Sequence, residues 1–200
     1  MTDFARLMSD YFVKYLAGQK GSGSNTMKTY RDTFVQLLEF MDEKKHIRAD
    51  CIEVDSFSYD IINEFLEYLE KEKRVSISTR NNRLAAIRSF FKYTGYHEPK
   101  YLNISTSIRE ISKKKTEGRQ MNYLSVNAME HFLNSFDKTD HKELRCFCIV
   151  LLLYESGARV TELCNVRRYD LHLEKPYTMI LHGKGDKIRS VPLDGLVADV

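Results

Sequence analysis

Apolar residues recur at helical spacing from the start of the chain. Phe4, Leu7, Met8, Tyr11, Phe12, Tyr15 and Leu16 fall on the i, i+3, i+4, i+7 template and predict an amphipathic first helix. A Gly/Ser turn, Gly18 to Asn25, ends in residues suited to capping a second helix, whose period continues through Met27, Tyr30, Phe34, Leu37 and Met41. A third helix is expected near Asp60 to Lys73, with Ile62, Phe65, Leu66 and Leu69 inward. A fourth starts at SIST, Ser76 to Thr79, and carries Leu84, Ile87, Phe90 and Phe91. Four helices with short connections predict a small bundle.

The texture changes between Glu98 and Gln120, where bulky apolar residues thin out. From Arg109 to Arg119 there are five basic and two acidic residues, which makes this stretch the expected linker. A second helical region follows. Ser125 is placed to cap one helix, and HKELRCFCIVLLLY, His141 to Tyr154, is apolar almost all round and predicts a helix buried on most sides. Beyond YDLHLEKP, two β-prone runs, YTMIL and IRSVPL, flank the glycine-containing HGKGDK and predict a hairpin. The expected domains are therefore residues 1–108, a linker over 109–120, and residues 121–200.

Composition narrows the function only a little. The chain has 200 residues and a formal charge of +3, so bulk charge does not announce a nucleic-acid partner, and only a local basic stripe could. Cys51, Cys146, Cys148 and Cys164 form no CxxC pair and are expected to be reduced, buried thiols of a cytoplasmic protein. The start of the chain does not follow the pattern of a secretory signal, and the longest apolar run, Cys146 to Tyr154, is well short of the roughly 20 residues that span a bilayer. No membrane association is expected.

The run LLLYESGARVTELCNVRRYDL, Leu151 to Leu171, begins as a core helix and then places Ser156, Gly157 and an arginine where the apolar pattern should end. Gly157 is suited to closing one helix, and Arg159 to opening the next with Glu162 one turn on. Arg159 is then either an exposed arginine paired with Glu162 or a guanidinium fork, held by a carboxylate, that grips phosphate oxygens. Lys184 lies 25 positions later, between Gly183 and Gly185. A nucleotide-binding P-loop is excluded, because no Ser or Thr follows Lys184. No partner at metal-ligand spacing accompanies His182, so a polar turn residue is expected there and no metal site.

SGARVTEL followed by HGKGDKIRSVPL resembles the tyrosine recombinase, or phage integrase, family, and TRNNRLAAIRSFFKY, Thr79 to Tyr93, is similar to the fourth helix of that family's core-binding domain. The resemblance spans the chain. It implies a mainly α fold: an N-terminal four-helix (SAM-like) core-binding domain, then an α+β catalytic domain truncated after its small β-hairpin. It implies DNA strand cleavage and rejoining through a phosphotyrosyl intermediate, without metal or other cofactor, on double-stranded DNA and with other recombinase protomers in a synaptic complex. On the matching positions Arg159 would bind the scissile phosphate, Glu162 would orient Arg159, and Lys184 would act as general acid. Phosphate-contact candidates are Lys28, Arg31, Arg80, Arg83, Arg88, Lys113, Lys114, Lys115 and Arg119.

The family's His-x-x-Arg motif does not occur in these 200 residues, and the last tyrosine, Tyr177, precedes the hairpin, so no nucleophile is assigned. The expectation is that this polypeptide alone does not cleave DNA. Two other readings compete: a non-catalytic DNA-binding remnant or regulator of an intact recombinase, and a helical interaction protein without a DNA role.

Overall fold

The computed structural model describes residues 2–116, 118, 122–183, 185 and 187–195. The chain divides into two compact units, Met1–Arg119 and Gln120–Val200.

The first unit is helical. Helix α1 (Asp3–Asp10) continues without a break into a π-helical stretch, Tyr11–Gln19, and α2 (Ser24–Lys45), α3 (Tyr59–Lys71) and α4 (Ile77–His97) follow. Ser76 caps α4 as its sequence predicts, its side chain accepting from the Thr79 amide. The apolar stripes converge on Phe90, whose ring lies 5.3 to 5.6 Å from those of Phe4, Tyr11, Phe34 and Phe91. All four contacts are edge-to-face, and those to Phe4, Tyr11 and Phe34 unite α1, the π-helical stretch, α2 and α4 in one core.

Among the described residues the bundle has five α-helices, one more than the sequence pattern predicts. Helix α5 (Leu102–Glu110) lies in the stretch poor in bulky apolar residues, yet Ile108 and the following Ile111 are completely buried. It docks through small residues. Ser105 Oγ donates to the Phe91 carbonyl at 2.6 Å, and a Cβ on Gly95 of α4 would stand 2.6 Å from the Ser105 side chain. Residues 111–114 are also tied to this unit: Asn81 pairs with both the amide and the carbonyl of Lys114, and Arg80 donates to the Ser112 carbonyl.

In the second unit, α6 (Val126–Asn134) is capped by Ser125 and α7 (His141–Ser156) by Asp140. Gly157 closes α7 at φ +55°, and the short α8 (Val160–Cys164) begins three residues later. Strands β1 (Leu171–His172), β2 (Thr178–His182) and β3 (Ile188–Pro192) form an antiparallel sheet in that order, so the predicted hairpin gains a third, two-residue strand. Met179 and Leu181 are completely buried, with Leu152, Leu163 and Val191 packed around them.

Two expectations are corrected. Helix α7 is not enclosed: Phe147 is its one buried residue, Leu151 to Leu153 are half-buried, and Ile149 and Tyr154 are exposed. The cysteines are free thiols as expected but not buried, since Cys51, Cys146 and Cys164 are exposed and Cys148 is intermediate. Among the described residues no helix is long and apolar enough to cross a membrane.

Gly95→Ala is expected to destabilise the first unit by about 1–3 kcal/mol, the usual cost of forcing a methyl group into a closed contact. A fall in melting temperature with a matching loss of protease resistance in the α4–α5 region is the expected result, and an unchanged transition would contradict this packing.

Candidate phosphate-binding site

Glu162 organises the site in the second unit. It lies at the third position of α8 with a side chain only 5% exposed. A carboxylate withdrawn from water needs compensation from several donors. Its Oε2 accepts the Arg159 backbone N–H at 3.0 Å, which caps the helix, and its Oε1 accepts from Arg159 Nη1 at 2.6 Å. A second guanidinium, Arg189 Nη2, reaches Oε2 at 3.0 Å. Hydrogen bonds from the Arg159 amide and then from its guanidinium, with the charge of Arg189, hold the Glu162 carboxyl below its ordinary value against the opposing effect of burial.

Arg189 was not among the residues singled out from the sequence. Its place follows from the sheet register: Leu181 opposes Arg189 and Met179 opposes Val191, so the arginine shares the face that turns towards α8. Strand alternation around Val191 was the signal available. Gly183 is needed for the approach of the hairpin, because a Cβ there would meet both Glu162 Oε1 and the Lys187 carbonyl at 3.3 Å. The Gly183 amide donates to that carbonyl at 2.7 Å and closes the base of the turn.

Together Arg159, Glu162, Gly183, Lys187, Ile188 and Arg189 line an open cavity of about 470 Å³. Among the described residues three cationic side chains and one anionic side chain line it. Arg159 is paired with Glu162 as its spacing predicts, and its side chain is 73% exposed. Lys184 lies outside the described residues. His182 ends β2 and binds Asp170 Oδ1 through Nε2 at 3.1 Å, while Asp170 Oδ2 accepts the Arg167 amide at 2.8 Å. Among the described residues no group of three or more His, Cys, Asp or Glu side chains is placed to hold a metal ion.

The predicted phosphate contacts of the first unit separate into two groups. Lys28, Arg31, Lys113 and Lys115 are exposed, and Arg88 and Lys113 line a cavity of about 670 Å³ with Tyr15, Tyr30, Lys92 and Arg109. Lys92 and Arg109, which share this cavity, were not among the sequence candidates, and Arg88 and Lys92 stand one turn apart on α4. Arg88 donates to the Arg109 carbonyl. The others serve the fold. Arg80 is 5% exposed and paired with Glu70 at 3.1 Å, so it is not the surface charge expected of it. Arg83 donates to the Thr29 carbonyl and Thr33 hydroxyl, and Lys114 pairs with Glu70 at 2.9 Å. Arg119 lies outside the described residues.

Comparison with known proteins agrees with both units. Residues 10–99 match the family model described as phage integrase, N-terminal SAM-like domain, and residues 122–200 match that of the phage integrase family. A putative integrase/recombinase y4rD of Sinorhizobium fredii is 29% identical over 94% of this chain and 68% of its own length. The tyrosine recombinase XerD of Listeria innocua is 30% identical over 92% of this chain and 59% of its own. Solved structures share the fold: XerH site-specific recombinase bound to palindromic difH substrate, at a TM-score of 0.66, 23% identity and coverage of 96% of this chain and 55% of that one, and the Tn1549 transposon integrase in complex with circular intermediate DNA, at 0.64, 20%, 100% and 63%. The chain spans 57% to 68% of the length of its first curated relatives. On the match of both units, the chain belongs to the phage integrase family of tyrosine recombinases.

Proposed function

We propose that these residues form the DNA-gripping part of a site-specific recombinase that breaks and rejoins strands of double-stranded DNA through a phosphotyrosyl intermediate. The observation that carries this reading is the open guanidinium of Arg159, fixed by a buried carboxylate beside two further cations. Such a group can bind a scissile phosphate and stabilise charge developing on it, because it is already oriented before the phosphate arrives. Glu162 is the positioning residue, and Lys184 serves as the general acid for the departing oxygen.

DNA is held outside the site by the exposed cations Lys28, Arg31, Lys92, Arg109, Lys113 and Lys115 of the first unit, with the half-buried Arg88 beside them. Recombination needs several protomers on one DNA synapse, and the protein works in the cytoplasm, where the DNA is. The His-x-x-Arg motif does not occur in these 200 residues, and no tyrosine among them is assigned as the nucleophile. Binding and turnover are therefore separable in this polypeptide.

Duplex binding by the 200-residue chain should weaken steeply with salt, with log affinity falling against log salt by about 0.9 for each phosphate neutralised. Arg159→Ala should weaken it about tenfold or more, the cost of a lost charge-assisted hydrogen bond. A flat salt response in fluorescence anisotropy contradicts the proposal. Incubation with nicked or intact duplex should yield no covalent adduct on a denaturing gel, and an adduct would show that a nucleophile is present.

Because its carboxyl is held below the ordinary glutamate value of 4.5, Glu162 stabilises the folded second unit above that pH, and the contribution is lost as pH falls through the lower folded value. Glu162→Gln should melt at a lower temperature than the parent at pH 7, with the gap narrowing below about pH 4.5. A gap that stays constant to acid pH would contradict the assigned charge.

A further inference from the structure

We infer that Arg189 is a second phosphate ligand and shares with Arg159 the single phosphate held at Glu162. The inference rests on the proposed DNA-strand function and adds a residue to it.

The argument begins with charge. A buried carboxylate needs one cation for neutrality, and Arg159 supplies it through both its amide and its guanidinium. Arg189 brings another positive charge to the same carboxylate, and Lys187 lines the same cavity. Among the described residues the mouth therefore carries positive charge beyond what Glu162 balances, at a concave surface where a charge is less screened than on an open one. An anion is the missing partner.

Donor geometry supports the same partner. A guanidinium has five N–H groups. Arg159 uses one on Glu162 Oε1, and Arg189 uses Nη2 on Glu162 Oε2 and on the Gly157 carbonyl at 3.4 Å. Donors remain on each, and both side chains are open to solvent, at 73% and 47%. One carboxylate bonded at each oxygen by a different arginine fixes the two forks on either side of it, and a tetrahedral phosphate has enough oxygens to accept from both. Arg189 further joins three pieces of chain, β3 to α8 through Glu162 and β3 to the α7 terminus through Gly157. A phosphate ligand there is held by the body of the unit.

A double-mutant cycle on the full 200-residue chain tests this, with a fluorescein-labelled random-sequence duplex as the probe. Arg159→Ala and Arg189→Ala should each weaken binding about tenfold or more, and the double variant should be little weaker than the worse single one, because both lose the same phosphate. Each should lower the salt slope by about one. Arg189→Lys retains the charge and a partner for Glu162, so it should keep the parental melting temperature and still bind more weakly than the parent. If Arg189→Ala does not fold, Arg189→Lys decides the question. Parental affinity in the Arg189 variants, with Arg159→Ala weakened, would make Arg189 a structural brace and overturn the inference alone. Losses that multiply in the double variant would place the two arginines on different phosphates and overturn it as well. An Arg159→Ala variant with parental affinity would overturn the functional reading together with the inference.

Discussion

The second unit depends on a carboxylate kept out of water. Glu162 caps its own short helix, takes the guanidinium of Arg159 and draws Arg189 across from the sheet. The first two contacts are local and the third crosses elements, and together they fix where the α7–α8 corner meets the hairpin. A carboxylate in this position costs desolvation that only well-placed donors offset. Two arginines that would otherwise sample many rotamers are thereby held at the mouth of one cavity, and that is the preorganisation a phosphate site requires.

The first unit uses the same device without leaving an opening. Glu70 takes Arg80 on one oxygen and Lys114 on the other, and Asn81 binds the Lys114 backbone, so the segment after α5 is strapped to the start of α4. There one cation, Arg80, is buried and the other, Lys114, is half exposed, whereas both arginines on Glu162 remain open to solvent. Around α4 and α5, Arg88, Lys92, Arg109 and Lys113 line one hollow with Glu110 and two tyrosines.

Helices α1 to α4 were legible because their apolar residues keep the helical period and bury bulky side chains such as Phe90. Helix α5 was not, because it docks through Ser105 against Gly95 and buries only a few large residues, a contact that periodicity does not register. The Arg159–Glu162 pairing followed from one-turn spacing, but Arg189 stands 27 positions from Glu162 and is brought there by sheet register. Arg80 misled for a related reason: an arginine on a helix looks like a surface charge until Glu70, ten positions earlier, is folded against it. Pairings within one helix turn are visible in the sequence, and those across elements need the fold.

The central claim is that Glu162 prepares a phosphate site between two guanidiniums. The most direct measurement is the 1H–15N spectrum of the arginine Nε–H groups of the free chain during titration with inorganic phosphate. The Arg159 and Arg189 signals should be resolved and sharp before phosphate is added, then move together along one saturable curve while Arg80, committed to Glu70, stays fixed. Signals that are broad at the start, or that drift without saturation and no more than those of other exposed arginines, would contradict the account.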